Sequence, residues 1–90
     1  MMQVTLWGTR GSIPVSGSQF VRHGGATTCL EVMAGDEQII IDCGTGLAEF
    51  GKSAASMKRR DLHIYQTHMH WDHVQGFPFF RPLFNADNCV

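Results

Sequence analysis

Apolar and polar residues alternate through Val4-Thr5-Leu6-Trp7, the period of a strand. Gly8-Thr9-Arg10-Gly11-Ser12 stops it. Residues 8–26 are rich in Gly and Ser, carry Pro14 and end on Gly24-Gly25, which predicts a long loop. Loops of that length in a compact domain are usually functional or disordered. The strand pattern resumes over Thr27-Thr28-Cys29-Leu30-Glu31-Val32-Met33, turns at Ala34-Gly35-Asp36-Glu37, and continues over Gln38-Ile39-Ile40-Ile41-Asp42, so a hairpin is expected. Three successive isoleucines predict a strand covered on both faces, hence a sandwich. After Gly44-Thr45-Gly46 the period changes. Leu47, Phe50, Ala54 and Met57 fall at helical spacing and predict a helix over 46–56, weakened by Gly51. Leu62-His63-Ile64-Tyr65-Gln66 reads as a fourth strand that delivers the chain to Thr67-His68. A short helix is expected near Asp72, limited by Gly76 and Pro78, and Pro82 interrupts any helix beyond them.

Composition narrows this picture. The chain has 90 residues, 43% hydrophobic and 17% charged, enough for one small folded domain and no more. Its formal net charge of −1 gives no bulk attraction to nucleic acid. The basic run Lys58-Arg59-Arg60 reads as a solvated turn. The N-terminus lacks a signal-peptide pattern, and no apolar stretch approaches the ~20 residues of a membrane helix. A cytoplasmic location without membrane association is therefore expected. Cys29, Cys43 and Cys89 form no C-x-x-C pair, so a thiolate zinc site is not indicated. Cys29 and Cys43 lie in apolar strand patterns and read as small buried hydrophobes.

The chemistry concentrates in Thr67-His68-Met69-His70-Trp71-Asp72-His73, where three of the five histidines lie within six residues. His68 and His70 are two apart, so on an extended segment their rings point the same way. Asp72 and His73, at the start of a helix, can swing toward a second position. That spacing suits two metal ions side by side. Imidazole and carboxylate bind zinc, and also manganese, iron or cobalt. Two ions about 3.5–4 Å apart ionise a bridging water at neutral pH and stabilise charge on the attacked group. Asp72 has a second, catalytic reading: orienting that hydroxide and passing its proton. The alternatives are a metal site without catalysis, or a strand-end loop whose histidines cap helices and satisfy carbonyls.

His68-Met69-His70-Trp71-Asp72-His73 matches the H-x-H-x-D-H motif, and the chain resembles the metallo-β-lactamase superfamily over essentially its whole length. Trp7-Gly8-Thr9-Arg10-Gly11-Ser12-Ile13-Pro14, Arg22-His23-Gly24-Gly25-Ala26-Thr27-Thr28-Cys29, Ile41-Asp42-Cys43-Gly44-Thr45-Gly46 and Gln75-Gly76-Phe77-Pro78-Phe79-Phe80 resemble its phosphodiesterase-like branch. The resemblance implies an α+β fold of the αββα sandwich type, represented by its N-terminal half as one incomplete domain over residues 1–90. That half would be mostly mixed β-sheet with one or two short helices. It implies His68 and His70 on one zinc ion and Asp72 and His73 on a second, with manganese or iron as substitutes. Asp42 would accept a hydrogen bond from the metal loop. A helix cap is the other reading of Asp42.

The same resemblance requires a further histidine, a metal-bridging aspartate and a last histidine after the motif. No histidine follows His73, and Asp87 is the only later acid. His23 and His63 lie upstream and are not assumed to substitute. The chain is thus expected to supply part of a two-metal hydrolase site as a fragment, a truncated product or one piece of a split protein. Its substrate would be a small-molecule or nucleotide phosphodiester. The competing expectation is a non-catalytic metal-binding or assembly module that forms a homodimer or pairs with a complementary chain.

Three weaker signals remain. Gly44-Thr45-Gly46 places Glu49 where a dinucleotide motif needs glycine, and a carboxylate there opposes a pyrophosphate. Arg10 suits either an internal ion pair or a substrate phosphate. Trp71, Phe77, Phe79, Phe80 and Phe84 suit a core, a substrate cleft, or a patch left exposed by a missing half.

Overall fold

The computed structural model describes residues 1–53, 62–84 and 90. Four strands and one short helix succeed one another: β1 (Met2–Gly8), β2 (Cys29–Ala34), β3 (Glu37–Ile41), α1 (Gly46–Lys52) and β4 (His63–Tyr65). They form one mixed sheet in the order β1-β2-β3-β4. β1 and β3 both run antiparallel to β2, and β4 runs parallel to β3. A parallel pair needs a crossover, and α1 lies in it. This is the α+β arrangement expected from the chain.

The hairpin forms as predicted, and Gly35 takes the left-handed conformation its tight turn requires (φ 61°). α1 is shorter than the spacing suggested. It stops at Lys52, where Ser53 turns extended and donates its N–H to the Phe50 carbonyl. Ala54, Met57, the basic run Lys58-Arg59-Arg60, Asp87 and Cys89 lie outside the described residues. The helix expected near Asp72 is a single 3-10 turn, Trp71–His73.

Strand alternation and register sort the side chains onto two faces. One face carries Trp7, Cys29, Ile40 and Ile64 and packs against α1. Cys29, Ile40, Leu47, Phe50 and Phe80 are fully buried there. The Phe50 ring meets Trp7 edge-on and stacks on Phe80, with centroids 5.5 and 5.9 Å apart. Glu31 is buried on this face, and both of its oxygens are satisfied. Trp7 Nε1 and Gln38 Nε2 donate to them at 3.0 and 2.7 Å.

The other face carries Val4 and Leu6 from β1, Leu30 and Val32 from β2, Ile39 and Ile41 from β3 and Tyr65 from β4, with Glu37 and His63 as its polar positions on β3 and β4. No described element covers it. Ile40 is buried but Ile39 and Ile41 are only half-buried, so the expected two-sided cover is one-sided among the described residues. Of the aromatic run, Phe80 is core, whereas Trp71, Phe77 and Phe79 are exposed. Phe77 borders an apolar hollow of about 500 Å³ with Met69, Val74 and Leu83.

Candidate metal centre

The parallel strands β3 and β4 end side by side, which brings Asp42 next to Gln66 and Thr67. The Asp42 N–H donates to the Tyr65 carbonyl at 3.0 Å. The loop beyond β4 is then tied back to the turn beyond β3: Cys43 N–H donates to the His73 carbonyl (2.8 Å) and Gly76 N–H to the Cys43 carbonyl (2.9 Å). This close approach depends on glycine. A Cβ on Gly76 would collide with the Gly44 carbonyl oxygen, and one on Gly44 would stand 2.6 Å from that of Asp72. The Gly44-Thr45-Gly46 signal is thus explained by backbone packing.

Asp42 organises the loop. It is buried and adopts a left-handed backbone (φ 66°), strained for a non-glycine residue. Its Oδ1 accepts from the Thr67 N–H at 2.7 Å and from Gln66 Nε2 at 3.1 Å. The Thr67 hydroxyl lies 2.7 Å from Oδ2 and 2.9 Å from Oδ1, and His73 Nδ1 lies 3.0 Å from Oδ2. Burial pushes the Asp42 carboxyl up, but the Thr67 bonds and His73 outweigh it and hold the pKa below its ordinary value. The carboxylate does not cap α1. The N-cap is Thr45, which makes no side-chain cap bond.

For neutral imidazoles, these bonds select one tautomer at each of two histidines. An ionised carboxylate only accepts, so His73 Nδ1 carries the proton toward Asp42 and its Nε2 keeps a lone pair. The single Thr67 hydroxyl proton goes to Asp42. His68 Nδ1, 3.0 Å from the same oxygen, is then the donor to it, and His68 Nε2 also keeps its lone pair. The rings gather: His68 lies 4.6 Å from His70 and 4.1 Å from His73 between centroids. His73 Nε2 is 3.4 Å from Asp72 Oδ2.

Asp72 is held from the far end of the chain. The Ser12 N–H donates to its Oδ2 at 2.9 Å, and Ser12 is the other non-glycine residue at positive φ (75°) among the described residues. That bond, together with His73 and His70 and against slight desolvation, keeps the Asp72 carboxyl below its ordinary pKa.

His68, His70, Asp72 and His73 therefore stand together at one edge of the sheet, as a donor set of imidazole and carboxylate that suits zinc, manganese or iron. Among the described residues, no group of three or more His, Cys, Asp or Glu is already arranged around a single metal position. Gln66, Thr67 and Ser12 were not singled out from sequence. Thr67 adjoins the motif and could have been suspected. Ser12, sixty residues away, carried no such signal. His63 sits exposed on β4, paired with Ile39, and among the described residues His23 lends its carbonyl to the Thr9 hydroxyl. Cys29 and Cys43 are free and buried, and burial first, then neighbouring negative groups, raises their thiols to about 12 and about 11.

A ribonuclease Z from Bradyrhizobium sp. (strain ORS 278) is 38% identical to this chain over 79 residues, which are 87% of the chain and 24% of that relative. The crystal structure of the metallo-β-lactamase fold protein YhfI from Bacillus subtilis matches with a TM-score of 0.61 at 25% identity, over 82% of this chain and 27% of that one. No family model matches. The chain thus spans about a quarter of the length of each relative. Sequence and fold agree, and the chain belongs to the metallo-β-lactamase superfamily, of whose fold it carries an N-terminal part.

Proposed function

We propose that this chain contributes part of the metal site of a metal-dependent hydrolase acting on phosphodiesters. One observation carries the reading. Asp42 and Thr67 engage Nδ1 of His73 and His68, so that in the neutral imidazoles Nε2 of each is left to bind a metal, beside His70 and Asp72. His68 and His70 would hold one ion, and Asp72 and His73 a second, with zinc the first choice and manganese or iron as substitutes. The metals would supply Lewis-acid activation of water and of the phosphoryl group. Asp42 sets ring orientation through His73 and Thr67. Ser12 occupies one oxygen lone pair of Asp72, which leaves the carboxylate the capacity to bind metal or hold a water and take its proton. The remaining ligands would come from a longer product or from another chain. The name of the relative, ribonuclease Z, points to the same kind of bond.

The test is metal content together with hydrolysis of bis(p-nitrophenyl) phosphate. With the remaining ligands supplied by the longer product or the complementary chain, bound zinc and turnover are expected, both lost in a His68→Ala, His70→Ala double variant. Turnover unchanged in that variant would remove the assignment.

The uncovered apolar face of the sheet favours a second reading, an assembly module that dimerises or pairs with a complementary chain. Light scattering decides it: association that rises with concentration supports it, and a persistent monomer counts against it.

A further inference from the structure

The loop between β1 and β2 encloses a second cleft, lined by Thr9, Arg10, Gln19, Phe20, Arg22 and His23, of about 450 Å³. We propose that this cleft binds a phosphate group. Its lining holds two arginines and no carboxylate, in a chain whose net charge is −1. An internal ion pair was one expectation for Arg10, and neither Arg10 nor Arg22 makes one among the described residues. Instead, Arg10 Nε donates to the Ile13 carbonyl at 2.7 Å, and its guanidinium carbon lies 5.3 Å from the centre of the Phe20 ring. One edge of the guanidinium is thereby used and its plane fixed, while the Nη groups have no acceptor among the described residues. A fork held in this way suits a phosphate oxygen pair and loses little freedom on binding.

The walls are built as firmly as the fork. Thr9 donates its hydroxyl to the His23 carbonyl (3.2 Å), and Arg10 N–H donates to the Ala26 carbonyl (3.0 Å). Gly24 N–H donates to the Phe20 carbonyl (2.8 Å) with Gly24 at φ 79°, a turn that sets Arg22 and His23 on the rim. The cleft also adjoins the metal loop. Arg10 is two residues from Ser12, at most about 7 Å of chain, and Ser12 holds Asp72. Phosphate binding stands on the cleft alone. Its use as a seat for a second phosphate of the substrate rests on the phosphodiester reading above.

The test is amide-resonance titration of the 90-residue chain, without added metal, with inorganic phosphate and separately with a 5′-phosphorylated thymidine dinucleotide. Saturable shifts are expected at residues 9–10 and 19–24, with affinity about tenfold weaker in Arg22→Ala, the loss of one charge-assisted contact. Arg22 is exposed, so that variant leaves the fold intact. Arg10→Lys keeps the charge, removes the fork and should weaken binding as well. The His68→Ala, His70→Ala variant should bind as the wild type does, so failure of the metal assignment leaves this result standing. Tighter binding of the dinucleotide identifies a nucleotide-borne phosphate, and equal binding a free one. Scattered, non-saturating shifts, or saturable shifts indifferent to Arg22→Ala, would overturn the proposal.

Discussion

On one side of the sheet Ile40, Cys29 and Trp7 lie beneath α1 and Phe80, while on the other Val4, Leu6 and Tyr65 are each more than half exposed. Both sides come from the same four strands, and both are rich in apolar residues. The difference is the second layer. An apolar strand position contributes stability only when something covers it, at roughly 25 cal/mol per Å² removed from water. The candidate metal centre stands at the end of the same strands. The loop with His68, His70, Asp72 and His73 is tied to the turn beyond β3 by main-chain bonds and by the Asp42 carboxylate.

The strongest way to break this contrast is Phe50→Ala. Phe50 is fully buried between Trp7 and Phe80, so its loss should cost about 3–5 kcal/mol in denaturant unfolding. Leu6→Ala on the open side should cost under about 1 kcal/mol. A large cost for Leu6 would mean that another copy or chain covers that face in solution.

Asp42→Ala comes next. It strands the Thr67 amide and His73 Nδ1, for about 1–3 kcal/mol. Under the proposed metal assignment, zinc affinity measured by calorimetry should also fall about 10–100-fold. Wild-type affinity in that variant would detach Asp42 from the site.

A smaller effect comes from pH. The folded pKa of Asp42 is depressed, so its contribution is complete above the unfolded value and fades as pH falls through the folded one. Thermal stability should therefore decline below about pH 4, and less steeply in Asp42→Asn. Equal acid sensitivity in the two proteins would assign the decline to other groups.

The smallest effect sharpens the covered side alone. With thiols raised to about 12 and about 11, Cys29 and Cys43 should resist iodoacetamide near pH 8 and react once the chain is unfolded. Labelling of either in the native chain, located by peptide mass, would show that this face opens.

Much of this was legible in the chain. Alternation and short apolar runs marked the four strands, Gly35 marked the turn, and the spacing of His68, His70, Asp72 and His73 marked the candidate site, because each of these is a local property. The extent of α1 and the fate of the aromatic run were less so. Phe80 and Phe79 are neighbours with the same side chain, yet one is buried against Phe50 and the other is exposed. Only the path of the chain separates them.

The sequence by itself determined the order of the strands, the family resemblance and the donor types at the sheet edge. Tertiary structure decided how those donors are presented. The parallel ends of β3 and β4 put Asp42 under Thr67 and His73 and so set which nitrogen of His73 it engages. A loop sixty residues upstream supplied the Ser12 N–H to Asp72 and the Arg10 guanidinium beside Phe20. Such contacts join residues far apart in the chain, so no local pattern encodes them. They exist once burial of the covered face has brought the strand ends together.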